Sequence, residues 1–106
     1  MDLSTDWLRI ASTSDVPEGE AYAIEIMGLS LALYHVGEAW FCTDNICTHA
    51  LALLTDGWLE GHIIECPLHG GQFDIRTGKG QGAPIDIDLK TFPVRIDGGD
   101  VLISLS

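Results

Sequence analysis

The densest chemistry in the chain lies in four residues. Cys47-Thr48-His49 is a Cys-x-His pair and Cys66-Pro67-Leu68-His69 a Cys-x-x-His pair, with sixteen residues between His49 and Cys66. A thiolate and an imidazole this close together can chelate from one short loop, and two such loops supply four donors. A lone Cys or His is ordinarily core or surface; two mixed pairs in glycine-rich surroundings are hard to ascribe to chance. Two metal chemistries suit two sulfur and two nitrogen donors. A Cys2His2 tetrahedron ordinarily means structural zinc, with its cysteines two to four residues apart. Each pair here mixes one Cys with one His, which is not the finger order. The alternative is a [2Fe–2S] centre in which two His replace two Cys on one iron.

The segments around these pairs must present them as loops. From Asp44 to Pro84 the chain holds seven of its twelve glycines (Gly57, Gly61, Gly70, Gly71, Gly78, Gly80 and Gly82). Irregular stretches of this length inside a small domain are usually functional. Outside them the pattern has period two: Leu29, Leu31, Leu33 and His35 alternate with Ser30, Ala32 and Tyr34, and Val101, Ile103 and Leu105 with Leu102, Ser104 and Ser106. Short alternating runs bounded by Gly or Asp predict strands near 7–11, 22–26, 29–36, 39–43, 63–65, 72–74, 91–97 and 100–105. Met27-Gly28, Gly37-Glu38 and Asp97-Gly98-Gly99-Asp100 are the expected turns. No window carries a helical stripe, and Ala50–Leu54 is too short to decide. The expected class is all-β: an antiparallel β-sandwich scaffold carrying a Gly-rich, two-loop site.

Composition narrows the function. The chain has 106 residues, which predicts a single domain over 1–106. Sixteen acids against five bases give a formal charge of −11, and no Lys or Arg lies between Arg9 and Arg76. Such a surface repels phosphate backbones and anionic lipid, so neither nucleic acid nor membrane is an expected partner. It would steer a basic protein partner into contact. The N-terminus has no basic stretch before an apolar run, so no secretory signal is expected and the location expected is cytoplasmic. Three cysteines, an odd number, argue against a disulfide framework.

Residues 47–84, CTHALALLTDGWLEGHIIECPLHGGQFDIRTGKGQGAP, resemble the cluster-binding region of Rieske ferredoxins, above all the ferredoxin component of bacterial aromatic-ring-hydroxylating dioxygenases. The likeness extends to LALY at 31–34, TDNICTH at 43–49 and KTFPVRI at 90–96. It implies the Rieske fold and one [2Fe–2S] cluster per chain, with Cys47 and Cys66 on the inner iron and His49 and His69 on the outer iron through Nδ1. It implies no catalytic residue of the chain's own. The chain would be a one-electron carrier, and a monomer, between an NADH-dependent flavin-containing ferredoxin reductase and a terminal oxygenase. The runner-up is the small Rieske subunit of an assimilatory nitrite reductase; a zinc module and a cluster-free binding module are remoter rivals.

The resemblance also marks departures. Ala50 stands where Gly is more usual. High-potential Rieske proteins carry a disulfide beside the cluster, and a Ser and a Tyr that donate to sulfur; the matching positions here are Ala52, Leu68, Gly71 and Phe73. Without those donors a low potential is expected, near the lower end of the roughly −150 to +300 mV Rieske range. Pro84 fits the loop covering the cluster's third side, and Gly70 and Gly71 allow close backbone approach. Of the remaining residues, Cys42 is expected to be a buried small hydrophobe and His35 a packed one. His62 is expected in solvent, Trp7 and Trp40 in the core or at its rim, and Trp58 shielding the site. Asp86 and Asp88 are expected on an exposed strand face.

Overall fold

The computed structural model describes residues 7–48 and 51–105. Among the described residues ten strands run: β1 (Trp7–Ser12), β2 (Glu20–Ile26), β3 (Leu29–Val36), β4 (Ala39–Asp44), β5 (Trp58–Glu60), β6 (Ile63–Glu65), β7 (Gln72–Asp74), β8 (Thr91–Phe92), β9 (Val94–Asp97) and β10 (Asp100–Ser104). They form three antiparallel sheets of order β1-β10-β9, β2-β3-β4-β8 and β5-β6-β7. Short 3-10 turns at Thr13–Asp15 and Leu54–Asp56 are the helical elements among the described residues. The all-β expectation holds.

The middle sheet is covered on both faces. Leu31 and Leu33 of β3 pack with Cys42, Phe92, Val101 and Ile103 between the middle sheet and β1-β10-β9. Ala32 and Tyr34, on the opposite face of β3, pack with Leu54, Ile64, Cys66, Phe73 and Leu89 beneath the small sheet. All four of these β3 residues are fully buried. Alternation here therefore separates two cores rather than core from water.

Met27 and Gly28 join β2 to β3 with φ of 52° and 79°, the left-handed pair that matches strand twist in a two-residue hairpin. The single strand expected over 91–97 is broken. Pro93 has no N–H for the ladder, and on either side of it β8 pairs with β4 while β9 pairs with β10. The chain thus changes sheets at a proline. Strand β5 was not expected; three residues beside glycines carry too little pattern to read. Asp86 and Asp88 are exposed but not on a strand, and Asp88 instead accepts the Gly80 amide at 3.0 Å.

Candidate metal centre

Two loops are closed by the same bond. In the first, the Cys47 amide donates to the Ala52 carbonyl at 3.0 Å; in the second, the Cys66 amide donates to the Gly71 carbonyl at 2.7 Å. The first loop stands on an Ile46–Leu53 bridge, and the second caps the β6–β7 hairpin above the Glu65–Gln72 pair. Each cysteine thus sits at the same place in a six-residue reversal. Between them, the chain entering β5 runs so close to β6 that a side chain on Gly57 would overlap the Glu65 carbonyl at the root of the second loop.

Cys47 and Cys66 are both buried, and the Cys66 thiol lies in hydrogen-bonding reach of the Cys47 thiol. Burial pushes the Cys66 thiol above its ordinary value. The Leu68 amide, 3.5 Å from Cys66 Sγ, pulls it partway back, and the Cys47 thiol pushes it up again. The Cys66 thiol therefore favours the neutral form, a preference that a bound cation reverses. His69 is exposed three residues on, with φ of 70°. A non-glycine residue in the left-handed region costs of order 1–3 kcal/mol and persists where its surroundings demand it. His49 and Ala50 lie outside the described residues. Two thiols and an exposed imidazole, delivered by paired loops, fit a centre that takes both sulfur and nitrogen donors.

A third segment closes the site. A side chain built on Gly71 would come 2.5 Å from Ile85 Cδ1 and 4.0 Å from Pro84 Cγ, so the proline segment lies against the second loop. The Thr48 hydroxyl donates to the Ile87 carbonyl at 2.7 Å, joining the same segment to the first loop. That placement agrees with the cover expected of Pro84.

The other candidates sort by core. Cys42 is buried in the core on the far side of the middle sheet, and burial pushes its thiol up from 9.0 to about 12. His35 donates its Nδ1–H to the Val16 carbonyl, 2.9 Å away, and stacks on Trp40 at 3.9 Å. Trp7, like Trp40, is half-buried, with the Arg95 guanidinium over its ring. His62 is not free in solvent: it is half-buried, edge-on to Phe41 at 5.7 Å. Trp58 is 62% exposed and shields little.

Sequence reasoning missed Asn45. It is fully buried, its amide nitrogen donates to Thr55 Oγ1, and its carbonyl oxygen accepts the Thr55 amide, each at 2.9 Å. The Asn45 main-chain carbonyl also accepts the Leu54 amide at 2.8 Å. Asn45 thus pins the root of the first loop to its return. Its polarity, two residues before Cys47 in a strand-ending segment, was the available signal.

The Rieske [2Fe-2S] domain family matches residues 6–93. The chain is 44% identical to the ferredoxin component of the naphthalene 1,2-dioxygenase system of Pseudomonas putida, over 98% of this chain and 100% of that one. Sphingomonas yanoikuyae B1 ferredoxin superposes with a TM-score of 0.88 at 46% identity, covering 93% of this chain and 98% of that one. The ferredoxin in a complex of reduced oxygenase and oxidized ferredoxin of carbazole 1,9a-dioxygenase superposes at 0.87 with 36% identity, covering 93% of each. These relatives are electron-transfer components rather than catalytic subunits. The cofactor of the matched domain is the [2Fe–2S] cluster, the nitrogen-and-sulfur alternative left open above. The chain belongs to the Rieske [2Fe-2S] domain family, with dioxygenase-system ferredoxins among its near relatives.

Proposed function

We propose that the chain is the one-electron carrier of a multicomponent aromatic-ring dioxygenase system, and that Cys47, His49, Cys66 and His69 hold its [2Fe–2S] cluster. The buried Cys47–Cys66 thiol pair, presented by two identically closed loops, is the observation that carries this reading. When bound, the cluster supplies a one-electron couple. Cys47 and Cys66 offer sulfur from the buried side of the site, and His69 offers ring nitrogen from the exposed side. Asn45 and the Thr48–Ile87 bond keep the first loop in place, and Pro84 and Ile85 back the second.

The partners follow from surface chemistry and kinship. Leu51, Leu68 and Ile87 are exposed at the loops or on the segment joined to them, at 94%, 44% and 63%, and Trp58 is exposed on β5 opposite Glu65. A few exposed apolar side chains on an acidic chain suit brief docking rather than a permanent interface. The relative seen bound to its oxygenase supports a terminal oxygenase as acceptor. An NADH-dependent flavin reductase is the donor that a one-electron carrier of this kind requires. The full-length relatives are dioxygenase components, so the nitrite reductase reading has less behind it. Among the described residues, no helix is long and apolar enough to cross a membrane.

The test mixes the reduced protein with a naphthalene-type oxygenase and follows reoxidation by stopped flow. Transfer within the turnover time is expected, with a second-order rate that falls as salt rises, since a charge of −11 acts mainly on association. No transfer to any ring-hydroxylating oxygenase would refute the assignment. A rate indifferent to salt would replace steering with apolar contact at Leu68 and Trp58.

A further inference from the structure

One acid at the site is held where the other acids are not. Glu65 immediately precedes Cys66 and pairs with Gln72 across the neck of the second loop. Gln72 Nε2 donates to Glu65 Oε1 at 2.9 Å, which fixes the carboxylate over the hairpin. Its other oxygen, Oε2, lies 3.8 Å from the point where a side chain on Gly70 would begin. The carboxylate therefore sits under the His69-Gly70 turn, half-buried. Among the described residues, the ion pairs are Arg9–Asp100, Arg76–Asp74 and Arg95–Asp97, and no Lys or Arg pairs with Glu65.

From this arrangement we infer that Glu65, clamped by Gln72, is a positioning charge that holds the reduction potential of the site down. The inference rests on the ligand set proposed above. A fixed negative charge opposes the arrival of an electron, and the clamp, though at the surface, holds the carboxylate beside the loop rather than letting it extend away from it. At an effective dielectric near 20, a unit charge within about 10 Å shifts an equilibrium constant by roughly tenfold. For one electron, tenfold is about 59 mV. Glu60, exposed at the opposite end of the same small sheet, has no such placement.

The midpoint potential of the holoprotein at pH 7 tests this, with the visible and EPR spectra as a record of ligand integrity. Glu65→Gln removes the charge and leaves an oxygen to accept from Gln72; the reduction equilibrium constant is expected to rise about tenfold. Gln72→Lys leaves Glu65 in place and sets an ammonium against it, and a rise in the same direction is expected. Glu60→Gln makes the same change in net charge and is expected to shift the constant less than twofold. Should Glu65→Gln fail to assemble, Gln72→Lys decides the matter alone. Shifts below twofold in both site variants, with unaltered spectra, would overturn the inference. So would an equal shift in Glu60→Gln, which would show net charge acting rather than position. The ligand set fails separately, if Cys66→Ser retains the wild-type spectrum.

Discussion

Asn45 and Thr55 bind each other twice, amide to hydroxyl and amide to carbonyl oxygen, both at 2.9 Å. The pair spans the first loop at its root, so the position of Cys47 depends on it. Asn45→Leu would remove the side-chain partners of both the Thr55 amide and its hydroxyl. An unsatisfied buried polar group costs about 1–3 kcal/mol, and the variant is expected to lose at least that much stability. Denaturant unfolding and cluster retention measure it together. Unchanged stability with full cluster content would show that the loop stands without this pair.

Cys42 gives a pH-dependent prediction. Its thiol is raised from 9.0 to about 12 because burial penalises the thiolate. The folded state therefore holds a proton that the unfolded state gives up. Stability from this group is intact below about pH 9 and is lost as pH climbs towards 12, by roughly 4 kcal/mol at full development. Tyr34, likewise raised by burial, adds a loss of the same sign in any variant that keeps it. Cys42→Ala should therefore lose less stability between pH 8 and pH 10.5 than the wild type, while keeping its iron. Parallel losses would contradict the burial argument, and loss of iron would contradict the assignment of Cys42 to the other core.

Two glycines separate close approach from simple turn geometry. A methyl on Gly57 would overlap the Glu65 carbonyl, so Gly57→Ala must push the start of β5 away from β6 at the root of the second loop. The expected cost is about 1–3 kcal/mol, with weakened cluster retention. Gly61 has φ of 60° and open space around it, so Gly61→Ala meets only backbone strain, about 1–2 kcal/mol, and keeps the cluster. Equal cluster loss in both variants would show that general destabilisation, not the Gly57–Glu65 approach, governs the site.

How much of this was legible varies by residue. The two Cys/His pairs could be read because chelation from a short loop is a local property of spacing. The β2–β3 and β9–β10 hairpins could be read because their turns and alternation lie within a few residues. The double burial of β3 could not: Leu31-Ala32-Leu33-Tyr34 alternates whether its second face meets water or another sheet, and only tertiary packing decides. The change of sheets at Pro93 depends on two partners distant in sequence. The Asn45–Thr55 and Glu65–Gln72 bonds join polar residues that resemble ordinary loop composition until the loops are closed. His49 lies outside the described residues, so its role rests on the motif.

Potential should respond to restored donors. Phe73 is fully buried in the same core as Cys47 and Cys66, and Gly71 faces Ile85. Gly71→Ser requires Ile85 to turn aside, and Ile85→Val gives it room. Two hydroxyls donating to sulfur at roughly 1.5–3 kcal/mol each would raise the potential by about 100–250 mV. The triple variant Gly71→Ser, Phe73→Tyr, Ile85→Val is expected to fall in that range by redox titration. An unshifted potential would show that the hydroxyls do not reach sulfur, and a wild-type potential well above 0 mV would refute the low-potential account.

Metal and acid-labile sulfide analysis of the purified chain tests the central claim most directly. Iron and inorganic sulfide in equal amounts, two of each per chain and no zinc, are expected for a [2Fe–2S] centre held by Cys47, His49, Cys66 and His69. That content should vanish in Cys47→Ser and Cys66→Ser and survive in Cys42→Ser. Stoichiometric zinc without sulfide, in protein from iron-replete cells, would contradict the account.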